Sequence, residues 1–345
     1  MKLLVLGGTK FLGRHVVEAA LSRGDEVTIF NRGRHNAELY PEAEKLRGDR
    51  DGGLDVLRGR RWDAAVDTSG YVPRVVGASA ELLAGAVELY VFISSMSVYA
   101  DFRRPNDEDS PTATLAGETN EEVTGETYGP LKALCERAAE GALRGRVLNV
   151  RAGLIVGPYD PTGRFSYWTE RVARGGEVLA PAPRGRQVQF VDARDLSRWM
   201  LRMIDARRAG VFNAAGPDYT LTMEGFLEGC REACETDARL TWVGEQFLLD
   251  EGVEPWGNLP LWIPESAEEH RYFLAENCER AFAAGLTFRP VADTARDTLA
   301  WQRAGSPGID ADAPNSVRAH TLTPEREREL LDAWRAAQRP EERTQ

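Results

Sequence analysis

Residues 3–13 read Leu-Leu-Val-Leu-Gly-Gly-Thr-Lys-Phe-Leu-Gly, and this stretch decides the fold class. An apolar run is followed by a glycine turn and by the start of an amphipathic pattern, which predicts a buried strand joined tightly to a helix. Gly7 and Gly13 allow the tight turn and the close packing, whereas the middle position of a strict Gly-x-x-Gly-x-x-Gly pattern is Lys10. Such a turn aims backbone N–H groups and the positive end of a helix at one point, where a pyrophosphate can bind.

A dinucleotide site is therefore the favoured interpretation of this turn, and a plain strand–helix connection is the alternative. The residues of the turn that are predicted to contact a cofactor are Gly7, Thr9, Lys10, Phe11, Leu12 and Gly13.

The first half of the chain alternates apolar strands with helical patterns. Strands are predicted at residues 2–6, 26–30, 64–67, 89–94 and 147–151, and helices at 12–22, 74–83 and 131–143. Near-continuous apolar strands are typical of a parallel sheet that is covered on both faces. The pattern predicts an α/β fold with a doubly wound parallel sheet of the Rossmann type, which binds ligands at the carboxyl ends of its strands.

The alternation loosens after residue 157, where prolines interrupt it and aromatic loops follow. We predict a dinucleotide-binding Rossmann domain at 1–157, with 187–215 returning to it through strand-like segments at 187–191 and 211–214. Residues 158–186 and 216–345 then form a smaller substrate-binding lobe that ends in a helix at 322–345. The aromatic run at 256–264 either caps a substrate pocket or packs this lobe.

Composition narrows the class of protein. The 345 residues carry a formal charge of −11 and no long basic run, which disfavours a nucleic-acid partner. The four cysteines and four histidines form no metal-binding spacing, so we predict reduced, mostly buried thiols and no metal. Because the chain begins with a strand and has no run of 18 apolar residues, we expect a cytoplasmic protein without membrane contact.

Two groups of polar residues carry the predicted chemistry. Tyr128 and Lys132 are four residues apart, so on a helix they share one face. A nearby lysine favours the phenolate and lowers the pKa of a tyrosine, which then exchanges protons with a substrate oxygen. The alternative interpretation of this spacing is a plain surface pair on a helix. Ser94 and Ser95 end an apolar strand, so their hydroxyls are expected at the carboxyl edge of the sheet, where they can stabilise charge on that oxygen.

With these motifs in this order, the chain resembles the extended short-chain dehydrogenase/reductase superfamily and its NAD-dependent epimerase/dehydratase family. The resemblance covers about residues 1–300 and rests also on Arg151…Gly157-Pro158, Gln189-Phe190-Val191-Asp192…Asp195-Leu196 and Phe212-Asn213. The turn at 7–13 with Asn31-Arg32-Gly33 also resembles an atypical branch that includes the chloroplast stem-loop RNA-binding proteins. Those relatives generally lack the tyrosine motif, which this chain keeps.

The resemblance implies a role for each matching residue. Tyr128 is the acid/base, Lys132 tunes it and holds the nicotinamide ribose, and Ser95 orients the reacting oxygen. Asp49 is expected to touch the adenine. The further residues expected to bind the cofactor are Asn31, Arg32, Arg50, Ser94 and Lys132. Many relatives dimerise through the tyrosine helix, so a homodimer is also an expectation.

The end of the second strand bears on the choice between NAD and NADP. An acidic residue there accepts hydrogen bonds from the ribose and repels a 2′-phosphate, but this chain has Arg32 and Arg34 instead. Arg32 can meet a phosphate as a charged fork, and Lys10 can reach the same group. We therefore predict NADP in preference to NAD. The alternative is that these charges are solvated and that NAD binds without an acidic partner.

The favoured function is hydride transfer between the nicotinamide and a hydroxyl or carbonyl of a small molecule. Family dehydratases carry an acidic pair where this chain has Met96 and Ser97, so dehydration is disfavoured. A sugar-nucleotide epimerase is one alternative. A non-catalytic nucleotide- or RNA-binding scaffold is the alternative from another class.

Overall fold

The structure is a computed structural model and describes residues 1–115, 121–307 and 320–338. In chain order the elements are β1 (Lys2–Leu6), α1 (Phe11–Ser22), β2 (Glu26–Asn31), β3 (Glu44–Arg47), β4 (Ala64–Asp67), α2 (Pro73–Leu83), β5 (Leu89–Ser95), α3 (Tyr128–Ala142), β6 (Val147–Ala152), β7 (Ile155–Val156), α4 (Arg164–Ala173), β8 (Glu177–Pro181), β9 (Val191–Asp192), α5 (Ala193–Asp205), β10 (Gly210–Ala214), α6 (Met223–Cys234), β11 (Arg239–Val243), α7 (Glu245–Asp250), α8 (Glu279–Ala283), α9 (Val291–Arg303) and α10 (Pro324–Gln338).

Seven parallel strands form the central sheet in the order β10-β6-β5-β4-β1-β2-β3. Successive residues of β1 face opposite sides: Leu3 and Val5 pack with α1 and α5, whereas Leu4 and Leu6 pack with α2 and α3. Both faces of the sheet are therefore covered, which confirms the predicted doubly wound α/β fold.

The predicted strands of the first half all form, and the structure adds one that the pattern did not indicate. The added strand, β3, has two half-buried residues between two exposed ones and pairs with β2 at the edge of the sheet. Its sequence Glu-Lys-Leu-Arg has only one apolar side chain, because an edge strand needs little apolar surface. Helix α3 begins at Tyr128, three residues before the predicted start.

A second hydrophobic core lies in the C-terminal half. Its largest buried side chains include Phe165, Trp168, Phe226 and Trp262. Trp262 is almost fully buried, so at this position the aromatic run packs the core and does not line an open pocket. Strand β10 pairs in parallel with β6 in the central sheet. The domain boundaries given above stay a prediction.

Two other predicted segments differ from the structure. Of residues 187–191, only Val191 belongs to a strand, while Gln187 and Phe190 form isolated bridges. The C-terminal helix is Pro324–Gln338, and the remaining part of its predicted range, 339–345, lies outside the described residues.

Candidate active site

The glycine turn between β1 and α1 has the tight geometry that the sequence predicted. Gly7 and Gly8 have φ values of +117° and +86°, a region that favours glycine. A Cβ on Gly13 would lie 2.7 Å from the backbone nitrogen of Gly8. Lys10 has φ −126° and ψ 145°, which any residue adopts, so the missing middle glycine costs no strain. Gly8, which the sequence analysis passed over, is constrained as well because its Cβ would lie 2.9 Å from Ile29.

The end of β2 is tied to this turn through Asn31. Its side-chain Nδ2 donates to the Gly7 carbonyl at 2.9 Å, and its Oδ1 accepts from the Gly33 N–H at 2.8 Å. No side chain caps the N-terminus of α1, and its first turn holds no acidic residue. The first N–H groups of the helix are thus left for an anion, as a pyrophosphate site requires.

Lys10, Arg32 and Arg34 surround this turn with positive charge. All three are exposed, and within the described ranges none of their side chains forms an ion pair. Thr9, in contrast, is buried, and its carbonyl accepts from Asn36 Nδ2 at 2.9 Å.

Asp49 and Arg50, both predicted to contact the cofactor, have different surroundings. Asp49 is exposed, and its carboxylate accepts from the Asp51 N–H at 3.1 Å within a turn. The Arg50 guanidinium forms two parallel hydrogen bonds, of 2.5 and 2.7 Å, with the fully buried carboxylate of Asp67. Arg50 is thus occupied by a partner inside the protein, and its contact with a cofactor stays a prediction.

Tyr128 and Ser95 come together at the carboxyl edge of the sheet. Ser95 ends β5, Tyr128 begins α3, and the Ser95 side chain is close enough to the phenol to lower the pKa of Tyr128. Gly129 makes this approach possible, because a Cβ there would lie 1.9 Å from the Ser97 carbonyl oxygen. The sequence analysis missed Gly129, although its place beside the tyrosine is a signal that could have found it.

The electrostatics of Tyr128 differ from the expectation. The pKa of Tyr128 is raised to about 12, mainly by burial and also by the nearby Tyr71, while Ser95 and Arg164 act in the opposite direction. Lys132 does not point its ammonium at the phenol as supposed. It donates instead to the carbonyls of Gly70 and Ile93, and burial lowers its pKa to about 8.

Lys132 therefore bridges the ends of two neighbouring strands. Gly70 follows β4 and Ile93 lies in β5, and the ammonium also lies 4.4 Å from the centre of the Phe92 ring. An ammonium has three N–H donors, so these two carbonyls leave one donor for another partner.

Ser94 provides a direct test of whether a cofactor fits. Its side chain is buried, yet within the described residues its Oγ has no hydrogen-bond partner. A buried hydroxyl without a partner costs free energy, so such a group calls for a ligand or water. Since Ser94 lies beside Ser95 at the edge where the glycine turn opens, these residues fit a nicotinamide dinucleotide.

Among residues 1–115, 121–307 and 320–338, no group of three or more metal-ligating side chains is present, and no helix is long and apolar enough to span a bilayer. A groove of about 630 Å³ lies between α6 and the start of α9 and holds none of the predicted site residues.

The central sheet is parallel and doubly wound, with a glycine turn after β1 and with a serine and a tyrosine at its carboxyl edge. This arrangement defines the class of extended short-chain dehydrogenase/reductase folds. Residues 60–215 match the model of the NAD dependent epimerase/dehydratase family. This match, over somewhat less than half of the chain, is to the family that the sequence motifs suggested.

Individual relatives are distant. The chain is 23% identical to the chloroplast stem-loop binding protein of 41 kDa b from Arabidopsis thaliana over 257 residues, which are 67% of this chain and 63% of that protein. The chain therefore spans less than two thirds of that relative.

Solved structures share the fold. UDP-N-acetylglucosamine 4-epimerase from Bacillus cereus is 16% identical with a TM-score of 0.63, covering 88% of this chain and 99% of that one. UDP-glucose 4-epimerase from Thermotoga maritima is 17% identical with a TM-score of 0.62, and the match covers 88% of this chain and 99% of that one. dTDP-glucose 4,6-dehydratase from Bacillus anthracis, solved in complex with NAD, is 14% identical with a TM-score of 0.61. That match covers 88% of this chain and 97% of the other.

Proposed function

We propose that this protein is an NAD(P)-dependent oxidoreductase that transfers a hydride between the nicotinamide and a hydroxyl or carbonyl of a small molecule. The observation that carries the proposal is the position of Ser95, at the end of β5, beside Tyr128, at the start of α3, on the same sheet edge as the glycine turn. A serine–tyrosine pair at this edge can bind one substrate oxygen from two sides.

Each residue has a distinct part in the proposed reaction. When bound, the nicotinamide supplies or accepts the hydride. Tyr128 gives its phenolic proton to the substrate oxygen in reduction and takes it back in oxidation. Ser95 donates a hydrogen bond that stabilises charge on that oxygen, and Lys132 offers its third N–H to the nicotinamide ribose.

We infer that NADP is preferred over NAD. Arg32 and Lys10 are exposed cations beside the glycine turn, and no acidic side chain follows β2 at residues 31–34. A 2′-phosphate needs such cations, and an acidic residue at this point would repel it. The neighbouring structures that name a cofactor name NAD, so NADP preference would set this chain apart from them.

The cofactor proposal is tested by fluorescence titration with NADPH and, separately, with NADH. We expect NADPH to bind more tightly and Arg32→Gln to remove this difference. Arg61→Gln is the matched control, because Arg61 is an exposed arginine just before β4. It therefore lies at the amino-terminal ends of the strands, away from the glycine turn. Equal affinity for both nucleotides in the parent protein would refute the NADP assignment.

The catalytic proposal is tested with Tyr128→Phe, which keeps the ring and removes the phenolic oxygen. We expect turnover to fall by about 10²- to 10⁴-fold, the usual contribution of a positioned acid/base, while cofactor affinity is unchanged. Unchanged turnover would refute the role of Tyr128.

Two alternatives have specific support. Structural likeness to sugar-nucleotide epimerases favours transient oxidation followed by return of the same hydride. An epimerase would convert substrate without net change in cofactor absorbance, which separates it from a reductase.

The sequence match to a stem-loop binding protein favours a non-catalytic scaffold, which would bind RNA equally well before and after Tyr128→Phe.

A further inference from the structure

Lys132 is a buried cation without a carboxylate partner. The residue is 4% exposed, and within residues 1–115, 121–307 and 320–338 no carboxylate lies within ion-pair distance of its ammonium. The largely buried arginines Arg50, Arg151 and Arg171 differ, because each pairs with a carboxylate. A buried charge without a counter-charge is unfavourable, so other groups must stabilise the Lys132 ammonium.

Two backbone carbonyls and two aromatic rings surround this ammonium. Its Nζ donates to the Gly70 carbonyl at 2.7 Å and also to that of Ile93. It lies 4.4 Å from the centre of the Phe92 ring and 5.4 Å from that of the Tyr71 ring. Within about 6 Å of the ring centre, the face of an aromatic ring attracts a cation. The two rings therefore supply part of the stabilisation that a carboxylate supplies to the arginines.

The two rings differ in how the fold accounts for them. Phe92 is fully buried and belongs to the hydrophobic core between the sheet and α2 and α3. Tyr71 is 48% exposed and belongs to none of the hydrophobic cores of the described residues. Burial of apolar surface therefore does not explain an aromatic side chain at position 71, whereas its place over the ammonium does.

The backbone is fixed on both sides of Tyr71. Gly70 is held by its hydrogen bond from the ammonium, and a Cβ there would lie 2.6 Å from the Phe92 ring. Pro73, two residues after Tyr71, begins α2 with the φ that a first helical turn requires. The Tyr71 ring is thus held just after β4, and its centre is 6.5 Å from that of the Tyr128 ring.

We propose that Tyr71 is a positioning residue for Lys132, whose ammonium the face of the ring stabilises in the charged form and holds at the carboxyl ends of β4 and β5. A charged lysine has three N–H donors, whereas the neutral amine has two, which the carbonyls already use. Tyr71 therefore preserves the third donor. The consequence for the reaction rests on the proposed function, which assigns that donor to the nicotinamide ribose.

Four further titratable side chains act on Lys132. Cys135 and Glu136 follow it on α3, and Asp67 ends β4 and is paired with Arg50. All four are unchanged in the variants used below, so their influence is common to every protein compared. Burial lowers the pKa of Lys132 to about 8, so its ammonium loses its proton within a pH range that is easily measured.

The small number of lysines makes this ionisation directly observable. The chain has four, Lys2, Lys10, Lys45 and Lys132. We would follow the full chain, without nucleotide, by NMR from pH 6 to 11 with ¹³C at the lysine Cε atoms. Lys132→Arg identifies the signal of Lys132 by its loss and keeps the positive charge.

The variants separate the ring face from the rest of the side chain. Tyr71→Leu keeps apolar bulk and removes the ring, so we expect the titration midpoint of Lys132 to fall by about 0.5–1 pH unit. Tyr71→Phe keeps the ring and should titrate like the parent. Tyr219→Leu is the matched control, because Tyr219 is 58% exposed but lines the groove between α6 and α9, and it should leave the midpoint unchanged.

Three results would overturn the proposal. The first is an unchanged midpoint in Tyr71→Leu. The second is a midpoint that rises in this variant, because the ring would then act only by keeping water away from the amine. The third is an equal fall in Tyr71→Phe and Tyr71→Leu, because the hydroxyl and not the ring face would then be responsible.

Nucleotide affinity is measured separately by fluorescence titration from pH 6 to 9. The charged form of Lys132 carries the third donor, so NADPH affinity should be highest below the midpoint of Lys132 and fall as the pH rises through about 8. In Tyr71→Leu this fall should begin at a lower pH. If neither NADPH nor NADH binds at any pH, the proposed function fails, while the NMR midpoints still decide the role of Tyr71. If nucleotide binds with the same pH dependence in the parent and in Tyr71→Leu, the inference fails and the proposed function stands.

Discussion

Replacing Asp67 with asparagine should destabilise the protein strongly. The Asp67 carboxylate is fully buried and accepts two hydrogen bonds from Arg50, one from the Tyr90 hydroxyl at 2.7 Å and one from the Ser69 N–H at 3.1 Å. Asparagine keeps the shape but removes the negative charge and turns one acceptor into a donor. The Arg50 cation is then buried without a counter-charge.

The magnitude follows from this burial. Breaking a buried ion pair by removing one partner costs about 3–5 kcal/mol. For 345 residues the unfolding entropy is about 0.7 kcal/mol/K, so the thermal midpoint should fall by about 4–7 °C. Calorimetry or circular dichroism at pH 7 measures this shift.

Asp51→Asn is the matched control for this prediction. Asp51 also pairs with an arginine through two hydrogen bonds, to Arg74 at 2.6 and 3.0 Å, but both side chains are more than half exposed. Water and salt screen such a pair, so no measurable change in midpoint is expected. Equal shifts in the two variants would refute the argument that burial makes the Asp67 pair important.

Three further results are expected. Because the pKa of Tyr128 is about 12, the rate of hydroxyl oxidation should rise about tenfold per pH unit from pH 7 to 10, and a flat kcat profile would contradict its role as base. Gly129→Ala should lower turnover, measured by kinetics, because the new Cβ would meet the Ser97 carbonyl. Gly141 lies on the same helix with open space around it, so Gly141→Ala should stabilise the chain by about 0.5–1 kcal/mol in urea unfolding. Burial raises the pKa of Glu276 to about 7, above its unfolded value. Its contribution to stability is therefore complete below about pH 4.5 and is lost as the pH rises through 7. Thermal midpoints measured from pH 5 to 8 should fall accordingly, and Glu276→Gln should reduce this fall.

The local sequence predicted the parts of the site that depend on chain neighbours. The apolar run before Gly7, the spacing of Gly7 and Gly13, and the four-residue interval between Tyr128 and Lys132 each dictate a local conformation or a shared helix face. The structure has the turn and the shared helix as expected. Edge strand β3 was not predictable in this way, because its charged residues carry no apolar period.

Electrostatic partners were the part that the sequence left open. The Tyr128–Lys132 spacing suggested a lysine that lowers the pKa of the phenol, but the ammonium binds the carbonyls of Gly70 and Ile93, which lie far away in the sequence. The cofactor contact predicted for Arg50 stays a prediction, but its pairing with Asp67, 17 residues further along the chain, is visible only in the structure.

The sequence by itself determined the doubly wound sheet, the glycine turn and the identity of the polar residues at the ends of β5 and α3. These follow from backbone sterics and from the burial of apolar strands, which act between near neighbours in the chain. Only the tertiary structure decided which charge faces which: Arg50 is paired with Asp67, and Lys132 is turned toward backbone carbonyls. The energy of a charge depends on its burial and on groups brought close by the fold, and neither is written in the spacing of residues along the chain.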